Sequence, residues 1–485
     1  MMPLSLTQRY LVAVVIGLSL AVRLLDIQAY SFWVDEVFSI NAAQQSWYGL
    51  WDNIREDLVH PPLFYLLLKL WLIPASALAP VAEPELTYRL FSMTFSLLCF
   101  WPLLRIGRQL GLSPTARLVL CVLFSFNLYW IWYAQQLRMY ALLGFLSLLA
   151  FTLLLEWLQQ QKRLWLLTLV YILMVYTQYF GWLVIASHSI VVLLLQPRQW
   201  WRHGLASSLV MLAFLPWVYQ LWQVVQQRQS TTQTGLDQTL AGNLSWIQAP
   251  DLSALVYFFS HALSHTSSGW LARGSLLLII LASMVFWLTI GLRRSQAIVQ
   301  PVVRRWLVLA SLTVIPPMIA FTAAQFIPQA PWGHRHLMIS VTPLLMLLIY
   351  SLDNLPPAWN QLTLFATGLS SVLVYAAAPR PVYEHIDYRP LTAYMQQEPG
   401  TVYTLEQDEF FLQTALHYYW PAARYDTITS DQRLPSQSGW FIHRLRTTSD
   451  QPSVQQFLQP GCSLQLALQT NGPDYTVVLY RHQCI

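Results

Sequence analysis

Three short clusters hold the polar residues whose types and spacing suit chemistry at a membrane surface. The first is Ser31-Phe32-Trp33-Val34-Asp35-Glu36-Val37-Phe38, directly after the first long apolar run. Two adjacent carboxylates beside a bilayer cost solvation free energy, so acids at such positions are usually functional or paired. The plainer reading is an interfacial loop in which Trp33 anchors while Asp35 and Glu36 are solvated. The second cluster, Trp132-Tyr133-Ala134-Gln135-Gln136-Leu137-Arg138-Met139-Tyr140, lies at the junction of two apolar runs. A guanidinium forks onto two oxygens and keeps its charge, so Arg138 suits a phosphate; snorkelling to headgroups explains it equally well. The third, Trp332-Gly333-His334-Arg335-His336, is a cationic cluster before a late apolar run, with an interface anchor as its plainer reading.

Weaker signals surround these. His60 precedes Pro61-Pro62, where an imidazole could orient an acceptor or a phosphate. His261 and His265 share one helical face at i, i+4, a spacing that suits zinc, but no glutamate accompanies them and no metal is assigned. Cys99 and Cys121 lie inside apolar runs, whereas Cys462 and Cys484 sit in a polar tail and pair only in an oxidising compartment. No P-loop, GxGxxG or GxSxG pattern occurs, which leaves nucleotide-driven and serine-esterase chemistry unsupported.

The elements that position these clusters follow from composition. Hydrophobic residues make up 55% and charged residues only 10% of the 485-residue chain, where soluble domains carry roughly 25% charge. That is a membrane composition. Apolar runs predict about eleven spans, near 10–28, 88–107, 115–133, 139–157, 163–179, 181–196, 205–225, 270–291, 306–326, 336–352 and 360–377. Arg9 and the run after it resemble a signal peptide, but Phe32-Trp33 follows in place of a small-residue cleavage site, so the run is expected to stay as the first span. Arg105, Arg108 and Arg117, then Lys162 and Arg163, then Arg198 and Arg202, then Arg293, Arg294, Arg304 and Arg305 mark alternate loops as cytoplasmic. The weak net charge of +5 is therefore topology and not a nucleic-acid footprint.

With that alternation the N-terminus is cytoplasmic, and residues 29–87 form a large first extracytoplasmic loop. The run after His60-Pro61-Pro62 is short and carries Lys69, so it reads as a juxtamembrane or re-entrant helix. Nearly all acids fall outside, with Glu156 and Asp353 the main exceptions. Gln226 to about Ala254 reads as a second external loop, with an interfacial helix over Leu252 to His265. Residues 1–379 thus form a transmembrane domain and 380–485 a small extracytoplasmic α+β domain. In the latter, helices are predicted at Leu391–Gln397 and Phe410–Tyr419, and strands at Thr401–Leu405, Trp440–Leu445, Leu464–Leu468 and Tyr475–Tyr480. Asn471-Gly472-Pro473-Asp474 reads as the turn of a terminal hairpin.

The acidic pair after the first span, the helix opened by His60-Pro61-Pro62-Leu63, the Arg138-Met139-Tyr140 step and an Arg-containing entry to a late span together resemble the GT-C glycosyltransferases. More narrowly, the chain is similar to the bacterial group of protein O-mannosyltransferases, lipid A aminoarabinose transferases and lipopolysaccharide galacturonosyltransferases. Trp33-Val34-Asp35-Glu36 and His60-Pro61-Pro62-Leu63-Phe64-Tyr65 carry most of that resemblance, since both occur in one loop in the family's order. It implies an all-α polytopic GT-C fold in a bacterial plasma membrane, and an inverting transfer of a monosaccharide from a polyprenyl-phosphate carrier to an extracytoplasmic acceptor on a glycolipid, glycan or protein. Asp35 would be the general base and Glu36 its supporting neighbour. Arg138, with His334 or Arg335 behind it, would follow the charge on the departing phosphate, and Tyr140 would line the same pocket. No cofactor is implied, and nothing compels a divalent metal. The chain lacks MIR-like modules, which weakens a eukaryotic-style protein-mannosylating reading.

Two other classes fit less well. A transporter or flippase is expected to carry charges midway along its helices and repeated halves, whereas here the charges gather at the surfaces and no repeat is visible. A polysaccharide polymerase or ligase would carry its signature loops late in the chain.

Overall fold

Ser5 and Gln8 start the first helix with a reciprocal capping box, the Ser5 N–H donating to Gln8 Oε1 at 2.9 Å and the Gln8 N–H to Ser5 Oγ at 3.2 Å. The apolar α1 (Leu6–Leu24) then runs for 19 residues, about 28 Å at the helical rise, which is close to the thickness of a hydrocarbon core. The computed structural model describes residues 5–57, 59–78, 83–232, 249–264, 269–291, 296–326, 332–378, 386–445, 454–471 and 476–484. His265, expected from its spacing to share a helical face with His261, the hairpin residues Gly472, Pro473 and Asp474 and most of the second external loop lie outside them.

Among the described residues, six helical stretches are long and apolar enough to cross a membrane: Leu6–Leu24, Pro84–Gln109, Tyr140–Gln160, Pro197–Gln227, Gln300–Phe326 and His334–Asp353. A seventh is a pair bent by 54°, Pro114–Phe126 with Leu128–Ala134. The sequence expectation of about eleven spans counts more than this. Two of the extra spans, 163–179 and 181–196, fall on Leu164–Thr177 and Gly181–Leu195, helices of 14 and 15 residues. Their length of about 22 Å is less than the hydrocarbon thickness, because the chain breaks at Gln178-Tyr179-Phe180 between them. The expected spans near 270–291 and 360–377 fall on Gly269–Gly291 and Pro357–Ala377, outside the full-length group.

The chain divides into two compact units. The first comprises residues 1–25, 46–71 and 89–379. In it the two acids that depart from the charge pattern have partners: Glu156 receives Arg105 at 2.7 Å and Arg163 at 3.1 Å, and Asp353 accepts from the Ser113 N–H at 2.8 Å and hydroxyl at 2.6 Å. Lys69, the charge inside the short apolar run, sits over the Trp47 ring at 5.1 Å. That run is α4 (Leu63–Leu78), preceded by α3 (Trp47–Asp57).

The second unit comprises 26–45, 72–88 and 380–485, so it takes in two pieces of the first outer loop as well as the tail. Its core is a five-stranded mixed sheet of order β2-β1-β3-β5-β4. Strand β1 (Thr401–Leu405) runs parallel to both β2 (Tyr425–Ile428) and β3 (Gly439–Leu445), and the antiparallel pair β4 (Cys462–Asn471) and β5 (Thr476–Cys484) completes it. Parallel pairing of β1 and β2 requires a crossover, which helix Glu409–Tyr419 supplies. That helix and Tyr388–Gln396 bury Leu391, Met395, Leu412 and Leu416 against Val402, Trp440 and Leu479. Cys462 and Cys484 oppose each other on β4 and β5 and form a disulfide.

Candidate active site

The acidic pair lies in a helix rather than in a loop. Trp33 is extended, with φ −91° and ψ 169°, and its carbonyl accepts from the Glu36 and Val37 N–H groups at 2.9 and 3.0 Å, which starts α2 (Val34–Gln44). Glu36, in the first turn, accepts the Trp33 N–H at 3.3 Å, and both acids sit where the helix dipole favours negative charge. Successive helical residues are turned by about 100°, so the two cannot face the same way. Glu36 is buried with Val37 and Ile40, whereas Asp35 is partly exposed.

The segment leading into α2 is held by side chains from the tail. Ser31 donates its N–H to Asp387 Oδ1 at 3.2 Å and its hydroxyl to the Ile386 carbonyl, and accepts the Tyr388 N–H at 2.8 Å. The Phe32 N–H donates to the Tyr419 hydroxyl at 2.6 Å, and that hydroxyl donates onward to Glu85 Oε1 at 2.7 Å. Arg389 donates to the Gln28 and Ala29 carbonyls at 3.2 and 2.7 Å and chelates Asp387; the Asp387 hydrogen bond holds its guanidinium above the ordinary range. The Phe32 ring packs edge-on against Tyr418 at 5.5 Å. Burial, then the neighbouring Tyr88, Glu85 and Glu36, raises the Tyr418 phenol above its ordinary 10.0.

The cationic residues belong to the first unit. Asp57 ends α3, and its Oδ2 lies 2.9 Å from His60 Nδ1. Arg138 Nη2 lies 3.1 Å from His60 Nε2. A guanidinium only donates, so Nε2 accepts and the Nδ1 proton goes to Asp57: the carboxylate sets the tautomer in which His60 meets Arg138. Arg138 is buried at 2% exposure, in the break between Leu128–Ala134 and Tyr140–Gln160, with its carbonyl accepting from Ser92 Oγ at 3.2 Å. A snorkelling arginine would keep its head exposed. Tyr140 is buried, its ring 5.2 Å from Tyr133 and 6.1 Å from His336. His336 in turn stacks on Phe180 at 4.6 Å.

The His334 ring lies among aromatic side chains. The His334 carbonyl accepts from the Tyr129 hydroxyl, and its ring meets Tyr257 at 4.6 Å. Arg335 is partly exposed. Nδ1 of His334 and of His336 are buried without a hydrogen-bond partner among the described residues. His60 and Arg138 are thus brought into contact, Tyr140 approaches the cluster through His336, and Asp35 and Glu36 belong to the other unit. Asp57 carried no signal by type, although it stands three residues before His60, and His336 stood in the third cluster without a role of its own. Glu85, Asp387, Arg389 and Tyr419 carried no sequence signal, since their partners lie hundreds of residues away.

One trio among the described residues has metal-holding spacing, Cys462, His482 and Cys484, but its two cysteines are bonded to each other. His261 stacks on Tyr257 at 3.5 Å.

No protein-family model matches the sequence, and no curated protein matches it either. Solved structures do resemble the fold. ArnT from Cupriavidus metallidurans in the apo state aligns with a TM-score of 0.56 at 12% identity, over 96% of this chain and 97% of that one. The same protein bound to undecaprenyl phosphate gives 0.55 at 12% identity, with the same coverage. The archaeal oligosaccharyltransferase AglB from Archaeoglobus fulgidus, in complex with an inhibitory peptide and a dolichol-phosphate, gives 0.53 at 9% identity, over 90% of this chain and 69% of that one. Both are GT-C superfamily enzymes, and this chain has their fold: a helical membrane protein with a small C-terminal sheet domain.

Proposed function

We propose that this protein is a membrane glycosyltransferase of the inverting kind, which moves a monosaccharide, hexose or pentose, from a polyprenyl-phosphate carrier to an acceptor hydroxyl outside the plasma membrane. The observation that carries the reading is the division of labour in α2. Glu36 is buried in the helix cap, and Asp35 beside it is partly exposed. Asp35 takes the proton from the acceptor hydroxyl as its oxygen attacks the anomeric carbon from the face opposite the phosphate. The anomeric C–O bond breaks and its electron pair leaves on the phosphate, a stable anion that needs a cation more than a general acid. Arg138, poised by His60, is that cation, with Arg335 and His334 as further phosphate contacts and Tyr140 in the pocket wall. No step requires a metal.

The ArnT and AglB structures each hold a prenyl phosphate, which supports a lipid-phosphate donor here. The Arg and Lys pattern supports a cytoplasmic N-terminus and an extracytoplasmic tail, and the Cys462–Cys484 disulfide suits an oxidising compartment for that tail. The acceptor is a glycolipid, glycan or protein. Mass spectrometry of envelope glycolipids and glycoproteins, with the gene intact, deleted or carrying Asp35→Asn, tests this. A sugar-bearing species should vanish in both altered strains while the Asp35→Asn protein is still inserted; full activity of that variant would sink the mechanism.

A further inference from the structure

The second unit is built from the segment that bears Asp35 and Glu36, the stretch around Glu85, and the whole tail. Tail hydrogen bonds reach residues 28–32, immediately before the α2 cap. The Tyr419 hydroxyl accepts the Phe32 N–H and donates a hydrogen bond to buried Glu85, so a single hydroxyl ties three distant pieces of chain. Arg389 spans the Gln28 and Ala29 carbonyls and is itself fixed by Asp387, which also holds the Ser31 N–H. These are directional bonds onto main-chain atoms three to eight residues from the carboxylates, and they fix the helix start and therefore the direction of Asp35.

We infer that Tyr419 and Arg389 are positioning residues for the acidic pair, so that the tail is a working part of the transferase and not only an appended fold. This rests on the glycosyltransferase reading for its consequence, though not for its geometry. Neither residue touches substrate; each acts through the backbone that orients Asp35.

The test uses the full-length protein in detergent micelles, with Tyr419→Phe, Arg389→Lys and a control, Tyr425→Phe, whose hydroxyl donates to the Trp420 carbonyl within the same unit. Hydrogen exchange followed by mass spectrometry should show residues 30–44 exchanging about tenfold faster in Tyr419→Phe, the scale of a lost buried hydrogen bond. The strands Thr401–Leu405 and Gly439–Leu445 should keep wild-type protection, as should everything in the control. Transfer turnover should fall about tenfold, while affinity for undecaprenyl phosphate stays at the wild-type value. Should Tyr419→Phe fail to fold, Arg389→Lys gives the same comparison. Unchanged exchange at 30–44, exchange rising equally through the strands, or faster exchange with unaltered turnover would each overturn the inference. A wild-type protein that neither binds undecaprenyl phosphate nor transfers sugar defeats the functional reading instead, and the exchange comparison still decides whether the tail holds the segment.

Discussion

Removing the Arg138 side chain separates a phosphate-binding arginine from one that anchors at the interface. In the folded protein the guanidinium is already buried at 2% exposure and tied to His60 at 3.1 Å, and His60 is tied to Asp57 at 2.9 Å. Its rotamer is fixed before any ligand arrives, so little ordering entropy opposes phosphate binding. A charge-assisted hydrogen bond to a phosphate oxygen then contributes about 2 kcal/mol, which at 1.4 kcal/mol per decade is about 30-fold in affinity. Arg138→Ala should therefore weaken binding of undecaprenyl phosphate about 30-fold. Arg138→Lys keeps the charge and loses the fork, which should cost about 1 kcal/mol, or roughly fivefold. The assay is a titration of undecaprenyl phosphate against protein in nanodiscs, with undecaprenol as the uncharged control. Undecaprenol should bind wild type and both variants alike, because only the phosphate discriminates. Equal phosphate affinity in wild type and Arg138→Ala, with loss of expression as the only effect, would refute the reasoning and return Arg138 to a structural role.

Two further outcomes follow from the tail. The Cys462–Cys484 bridge closes a loop of 22-residue separation, so Cys462→Ser should lower the stability of the second unit by about 3 kcal/mol, and thiol labelling on a non-reducing gel should detect no free tail thiol in the wild type. The Tyr418 and Tyr425 phenols are raised above their ordinary 10.0 chiefly by burial, so the folded unit keeps protons that the unfolded chain sheds. Stability is therefore fully present below pH 10 and falls as pH climbs past it toward the folded values; melting in alkaline buffers should reproduce that slope, and Tyr418→Phe should flatten it.

The tail strands were legible where alternation ran long enough. Trp440–Leu445 and Thr401–Leu405 read correctly, and the last two strands extend two to four residues beyond their apolar cores because antiparallel pairing carries them on. Strand Tyr425–Ile428 was missed: it has four residues, two of them polar, and owes its conformation to parallel pairing with Thr401–Leu405 rather than to its own pattern. The acidic pair stood out by residue type but not as helix. Trp33 lacks the oxygen-bearing side chain that announces a helix start, so the cap depends on Glu36 reaching back and on the bonds from Tyr419 and Asp387 around it.

That last point bears on why one acid of the pair is partly exposed and the other is buried. From sequence, Asp35 and Glu36 are interchangeable neighbours, and only the resemblance to GT-C enzymes separates them. In the helix their inequality has a physical origin. The third helical position is the one whose carboxylate can bend back to the Trp33 N–H, which commits Glu36 to the cap, and the 100° step then turns Asp35 off the buried face of Val34, Val37 and Ile40. A shift of the helix start by one residue would exchange the two roles. The tail's hydrogen bonds to residues 28–32 act against that shift, since sliding the start would break the Phe32 bond to Tyr419 and the Ser31 bonds to Asp387 and Tyr388 together.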